Sequence, residues 1–270
     1  MPELPEVETT VRGLERVLAG ERLAAVEVRR PDLRRPIPVD LRQRLTGARV
    51  TALGRRAKYG LIHTDRGDTL VFHLGMSGRW RIDPEMIGPH DHLLIETEGG
   101  HRAVLCDPRR FGSLDLVESD ALDDFAPFAA MGPEPLGGDF TAERLGRSLA
   151  GRRGRIKALL LDQHVVAGLG NIYVCEALHL AGIAPRTQGR RIGPERRERL
   201  VEAVRSVLAA AIAAGGSSLR DFARPDGELG YFAKSWRAYG REGKPCLCGA
   251  PIRRRVDSGR STFYCPRCQR

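Results

Sequence analysis

The stretch Lys244-Pro245-Cys246-Leu247-Cys248-Gly249, answered by Phe263-Tyr264-Cys265-Pro266-Arg267-Cys268, decides how this chain of 270 residues is read. Its cysteines run C-x-C, then sixteen residues, then C-x-x-C. Turn formers flank each pair, with Pro245 and Gly249 at one end and Pro266 at the other. Two cysteine pairs at this separation suit a tetrahedral zinc site that holds a small β-hairpin. A disulfide between the pairs is the alternative that the spacing leaves open. Only Leu247 separates Cys246 from Cys248, so the chelate loop is tight and Cys246 is expected to be the least secure ligand. Four thiolates fill a tetrahedral ion, so the expected role is structural, with one Zn2+.

Charge indicates what this module touches. The chain carries 44 Lys and Arg against 34 Asp and Glu, a formal net charge of +10. Residues 237–270 hold nine basic side chains against Glu242 and Asp257, a net +7. A compact basic hairpin is an electrostatic footprint for a phosphate backbone. At 270 residues and 41% hydrophobic, the chain can bury sizeable cores and sits near the limit for a single one. No charged and apolar secretory opening is visible, and the longest plain apolar stretch, Val207 to Ala214, is too short to span a membrane. Cys106 and Cys175 lack partners at motif spacing, so reduced thiols in the cytoplasm are expected.

The other end begins Met1-Pro2-Glu3-Leu4-Pro5-Glu6. Without Met1, Pro2 is a secondary amine that can attack an electrophilic carbon and form a charged imine. Pro5 suits a first helical turn, and Val7, Val11, Leu14 and Leu18 recur at helical spacing. The positive end of that helix disfavours the ammonium form of an amine placed before it. Glu3 and Glu6 bring carboxyl groups for proton transfer. An ordinary helix start with an acidic first turn fits the same residues.

Between the ends, short β-branched runs at Ala25–Val28, Val50–Leu53, Leu61–His63, Thr69–His73, His92–Glu96 and Ala103–Cys106 predict a β-rich first half. Residues 120–138 read as a linker. Helical patterns follow at Thr141–Leu149, Ile156–Leu161, Ile172–Leu180 and Pro194–Ala214, with Asp139 or Thr141 as a cap. Gly168 and Gly170 predict a tight turn whose backbone amides can meet phosphate. The fold class is therefore α+β. We expect three domains: a β-sandwich with its packed N-terminal helix (1–131), a helical domain (132–236) and the zinc hairpin (237–270).

Five motifs stand in order along the chain: PELPEVET at the start, HLGMSG (73–78), DPRRFG (107–112), AGLGNIY (167–173) and GRSTFYCPRCQ (259–269). Together they resemble the formamidopyrimidine-DNA glycosylases, bacterial enzymes that remove oxidised purines from DNA. The resemblance implies a helix–two-turn–helix element around Asn171 that contacts phosphate. It implies Pro2 as nucleophile, Glu3 as general acid, and Lys58, His73 and Arg260 as holders of phosphates around a flipped nucleotide. Met76, Arg109 and Phe111 would fill the hole left in the base stack, a task suited to an adaptable Met, a guanidinium and an aromatic wedge. The segment 217–232 would fold over the extruded base. The implied partner is double-stranded DNA carrying an oxidised purine, bound by a monomer, with strand cleavage by β,δ-elimination. A sister branch resembling endonuclease VIII, which prefers oxidised pyrimidines, and a non-catalytic damage binder are the competing readings. PELPEV in place of PEGPE favours the purine enzyme, and the joint presence of Pro2, Glu3 and Lys58 disfavours a mere binder.

Overall fold

Val7, Val11, Leu14 and Leu18 line the buried face of helix α1 (Leu4–Leu18), and all four sit in one core with the strands that follow. The protein, described here from a computed structural model, is placed over residues 1–217, 225, 231–257 and 259–270. It divides into two units, residues 1–129 with 214–231, and residues 130–213 with 232–270.

The first unit is a pair of antiparallel sheets. After β1 (Leu23–Val28) and the short α2 (Leu41–Leu45) come β2 (Val50–Arg56), β3 (Tyr59–Thr64) and β4 (Asp68–His73). Then follow β5 (Arg79–Ile82), β6 (Asp91–Thr97), β7 (Arg102–Cys106) and β8 (Ser113–Glu118). One sheet has the order β1-β6-β7-β5 and the other β2-β3-β4-β8. Each offers apolar side chains to a common core: Val26, Trp80, Ile95 and Leu105 from the first, Ile62, Leu70, Phe72 and Leu114 from the second. The Phe72 and Trp80 rings meet edge to face at 5.4 Å. Strands β5 and β8 were not expected. Arg79-Trp80-Arg81-Ile82 alternates over only four residues, and β8 is an acidic edge strand beside β4, so neither carries a strong apolar run. The expected linker is partly ordered: a 3-10 turn (Ser119–Asp124) leads to α3 (Ala126–Ala129), where Phe128 stacks on Phe125 and Tyr59.

The second unit is helical with a terminal hairpin. It comprises α4 (Ala142–Leu149), α5 (Ile156–Leu161), α6 (Asn171–Leu180) and α7 (Pro194–Ala213), then β9 (Arg253–Asp257) paired with β10 (Arg260–Tyr264). Thr141 caps α4 by accepting from the Arg144 N–H at 3.1 Å. Residues 172–179 of α6 are all buried, so this helix is central rather than amphipathic. No described helix is long and apolar enough to cross a membrane.

A tight contact fixes the sandwich. A Cβ at Gly60 would lie 2.0 Å from the Phe72 ring on the neighbouring strand. Gly60→Ala should therefore destabilise the protein by about 1–3 kcal/mol, the usual cost of overpacking. Adding Phe72→Leu to Gly60→Ala should recover part of that loss in urea unfolding. A Gly60→Ala protein as stable as the parent would show that the strands part freely here.

Candidate functional site

The chain start is held by one carboxylate. Pro2 is buried immediately ahead of α1, and Glu3, 3% exposed, is the residue before its first turn. Glu6, fully buried, accepts the Glu3 N–H on Oε2 at 2.8 Å. Its other oxygen accepts the Ser217 N–H, also at 2.8 Å. Ser217 bridges to Tyr231, and the Tyr231 N–H donates to the Ala214 carbonyl, so the two ends of the 217–231 segment are closed at the same place. Most of that expected lesion-reading segment lies outside the described residues.

Lys58 sits, buried, in the turn between β2 and β3, next to Ala57 with its positive φ of 53°. Arg55 anchors this turn. It donates to the Ala57 carbonyl at 2.9 Å and to Glu8 on α1 at 3.0 Å. Burial opposes ionisation of Glu8, but hydrogen bonds from Arg55 and Arg12 outweigh it and hold the carboxyl below its usual range. His73 ends β4. Burial, then the charges of Lys58, Arg34 and Arg35, push its pKa down to about 4, against a smaller opposing effect of Asp107. Nδ1 accepts the Gly75 N–H at 3.0 Å, so the neutral ring carries its proton on Nε2, a donor suited to a phosphate oxygen.

Two loops are knotted through Asp107. Its Oδ1 accepts the Ser77 hydroxyl at 2.7 Å, and Oδ2 accepts the Gly112 N–H at 2.8 Å. The Arg109 N–H donates in turn to Ser77 Oγ, and a Cβ at Gly75 would lie 2.3 Å from the Phe111 carbonyl carbon. The knot presents Met76, Arg109 and Phe111 on neighbouring loops. Phe111 is 46% exposed, and the Arg109 guanidinium lies 4.9 Å from its ring centre. An exposed aromatic on a rigid loop is available to a partner rather than to the core.

In the second unit, Asn171 opens α6 and donates to the Ser261 carbonyl at 2.9 Å. Lys157, buried in α5, donates to the same carbonyl at 3.0 Å and to Thr262 Oγ1 at 2.7 Å. The exposed Arg260 precedes Ser261, so these two donors fix the backbone from which it extends. The preceding turn is wired by Gln163, which donates to the Leu161 and Leu169 carbonyls and accepts the Gly168 N–H. Glu176, farther along α6, accepts the N–H groups of Arg237, Ala238 and Tyr239 at 2.7–2.9 Å. It anchors the chain where it enters the cysteine module.

The four thiols Cys246, Cys248, Cys265 and Cys268 lie within 4.8 Å of one another and form no disulfide. Pairs measure 3.9 Å for Cys246–Cys268 and 3.5 Å for Cys248–Cys265. Sulfurs at 2.3 Å from a tetrahedral zinc are about 3.8 Å apart. Cys246, expected to be the least secure, is buried and has His179 Nε2 at 3.3 Å from its sulfur.

Comparison with known proteins bears on both units. Family models described as the formamidopyrimidine-DNA glycosylase N-terminal domain, its H2TH domain, and a zinc finger found in FPG and IleRS match residues 1–114, 131–223 and 243–270. A formamidopyrimidine-DNA glycosylase of Rhizorhabdus wittichii is 70% identical over the full length of both chains, and one of Zymomonas mobilis is 53% identical over the same span. A Lactococcus lactis FPG variant bound to Fapy-dG-containing DNA superposes with a TM-score of 0.92 at 33% identity, covering all of both chains. FPG from Thermus thermophilus gives 0.89 at 40% identity, covering 99% of this chain and 98% of its own. The chain belongs to the formamidopyrimidine-DNA glycosylase family. Its fold is the α+β arrangement expected, and its cysteine module is the family's zinc finger with one structural Zn2+.

Sequence reading did not single out Glu8, Lys157, Glu176 or His179; it saw Arg55 only as part of a basic strip before Lys58, and Asp107 only as part of a motif. Each acts through a partner distant in the chain. The single local signal was a charged residue inside an apolar run, as for Lys157 among Ile156, Leu159 and Leu160.

His73 is neutral in the fold and protonates more readily once unfolded, so its contribution is present above pH 6.5 and is lost as pH falls toward 4. Over that interval the parent should lose up to about 3 kcal/mol relative to His73→Gln. Parallel pH–stability curves for the two proteins would refute this. For the zinc module, loss of the His179 N–H donor should weaken the metal by about 10–100-fold, as for other partners of metal ligands. Competition of His179→Ala against a chromogenic chelator measures it, and an unchanged zinc affinity would remove His179 from the site.

Proposed function

We propose that this chain excises oxidised purines from duplex DNA and then cuts the strand, with the Pro2 amine as nucleophile. The observation that carries the reading is the buried Glu6. It holds the Glu3 amide, next to Pro2, at the end of a chain that would otherwise fray. Full-length identity of 70% to a formamidopyrimidine-DNA glycosylase supports the substrate class.

With Met1 removed, the Pro2 nitrogen attacks C1′ of the flipped nucleotide. The bond from C1′ to the base breaks; the base takes up a proton as the amine releases one. Glu3 protonates the ring oxygen, the sugar opens, and the imine forms. Removal of a C2′ proton expels the 3′ phosphate, and a second elimination expels the 5′ phosphate. Water then frees the sugar fragment from Pro2, and a one-nucleotide gap remains with phosphate at both ends. Lys58, His73, Asn171 and Arg260 hold phosphates around the extruded nucleotide. Met76, Arg109 and Phe111 fill the vacated stack. The zinc, held by Cys246, Cys248, Cys265 and Cys268, stiffens the hairpin that carries Arg260. The working division is a catalytic sandwich (1–131), a helical domain (132–236) and a zinc finger (237–270), in a monomeric cytoplasmic enzyme.

A second lesion class needs separate measurement, because Lactococcus lactis FPG has also been solved with DNA containing an oxidised pyrimidine. Borohydride trapping on duplexes carrying 8-oxoguanine opposite cytosine, or an oxidised pyrimidine, tests both. Faster trapping on the purine is expected; the reverse order would assign the chain to the pyrimidine branch, and no trapping on either would leave only a binder.

Two outcomes test the chemistry. In the unprocessed chain the Pro2 nitrogen is a tertiary amide, so mass spectrometry of active enzyme should find Pro2 first; full activity with Met1 retained would sink the mechanism. Glu3→Gln keeps shape but removes the proton, and should slow base excision by about 10²–10⁴-fold while DNA affinity is preserved.

A further inference from the structure

One basic cavity takes no part in this chemistry and lies wholly within the second unit. It encloses about 780 Å³ and is lined by six arginines: Arg186, Arg191, Arg196, Arg253, Arg255 and Arg270. Among the described residues, no Asp or Glu side chain lines it. Arg255 is paired with Asp257 at 2.7 Å, and Arg196 donates to the main-chain oxygen of Arg270. Among the described residues, the guanidinium groups of Arg186, Arg191, Arg253 and Arg270 have neither an ion pair nor a hydrogen bond. Four like charges gathered around one concavity repel one another until an anion neutralises them.

The walls are firm. Gln269 accepts the Cys265 N–H at 2.7 Å and donates to the Ile183 carbonyl at 2.9 Å. The Arg270 N–H donates to Gly182, and Ala184 donates back to Arg270. The zinc knuckle is thereby strapped to the turn after α6, and the arginines extend from fixed backbone.

Position selects the ligand. In the β9–β10 register Arg260 faces Asp257, Thr262 faces Arg255 and Tyr264 faces Arg253. These six residues share one face of the hairpin; α5 covers its middle, where Lys157 meets the buried Thr262, and Arg260 and Arg253 stand exposed at its two ends, four residues apart. At about 3.3 Å per residue that is about 13 Å. Phosphates of one strand advance about 3.4 Å per nucleotide along the duplex axis, so the gap corresponds to a few nucleotides. Guanidinium forks match phosphate oxygens two by two.

We propose that this arginine cavity is a second phosphodiester site, which holds undamaged DNA flanking the lesion. The proposal rests on the DNA-repair reading above, and its test separates the two. The variant is Arg186→Gln with Arg191→Gln and Arg253→Gln, with zinc content and thermal melting as checks of folding. Affinity for a 30-base-pair undamaged duplex is measured against salt. Each lost phosphate contact lowers the slope of log K against log salt by about 0.9, so a fall of about 2–3 is expected. Single-turnover excision from a saturating 10-base-pair lesion duplex should stay at the parent rate. An unchanged slope would overturn the proposal, as would an equal loss of affinity on the short duplex, which would place these arginines at the lesion. Binding of an oligoglutamate peptide to the parent but not to the variant, with an unchanged DNA slope, would overturn it in favour of an acidic protein partner. Failure of the parent protein itself to excise would strike the repair reading instead.

Discussion

The proposed nucleophile stands at the end of the chain with one covalent tether, and Glu6 supplies the second. Its carboxylate is fully buried, which is costly unless both oxygens are satisfied. One oxygen takes the Glu3 N–H and the other the N–H of Ser217, 211 positions along the chain. The same charge therefore sets the start of α1 and the root of the 217–231 segment. Removing it would take a hydrogen bond from each of two buried amides, so the cost would fall on both sides at once. α1 adds the mass that this anchor needs. Its apolar stripe is locked into the sandwich, and Glu8 on its other side reaches Arg55 beside Lys58. The proposed nucleophile, acid and lysine of the first unit are in this way set by one helix.

The Asp107 knot addresses a different constraint. A wedge that enters a base stack must expose apolar surface to water, and an exposed Phe on a flexible loop would collapse onto the protein. Backbone hydrogen bonds rather than packing hold Phe111 out: Gly112 and Arg109 are both tied through Asp107 and Ser77. Gly75 permits the approach, since its backbone has a φ of 59° and any Cβ would strike residue 111. For the role proposed for Phe111, the rigid loop would remove in advance the ordering entropy that insertion costs.

Much of this was legible in the sequence because it is local. The stripe of α1, the capping Thr141, the cysteine pairs and the tight Gly168 turn each follow from residues within a turn or two of one another. The strands read as apolar runs were found, while β5 and β8 were not, because β5 is four residues with two arginines and β8 carries Asp115 and Glu118 in six. The five motifs marked what reaches outward. They gave no account of what holds those residues in place, since Glu6 to Ser217 spans 211 positions and Lys157 to Thr262 spans 105. His73 shows the limit in the opposite direction. Its apolar setting suggests a satisfied core histidine, and its Nδ1 is indeed satisfied, yet that same bond leaves the proton on Nε2.

The shortened cysteine pair is best understood from α6. Asn171, Glu176 and His179 of this helix engage, in turn, the strand next to Arg260, the entry to the zinc module and the Cys246 sulfur. A zinc finger standing alone would have to hold its first two ligands by the chelate loop itself, and one intervening residue is a poor loop. Here the backbone ahead of Cys246 is already fixed by three N–H bonds to a buried carboxylate, and its thiolate meets an imidazole N–H. The geometry that the loop no longer imposes is imposed by the helix. The metal then has less to organise in the first cysteine pair, while Lys157 of α5 and Asn171 of α6 hold β10 next to Arg260.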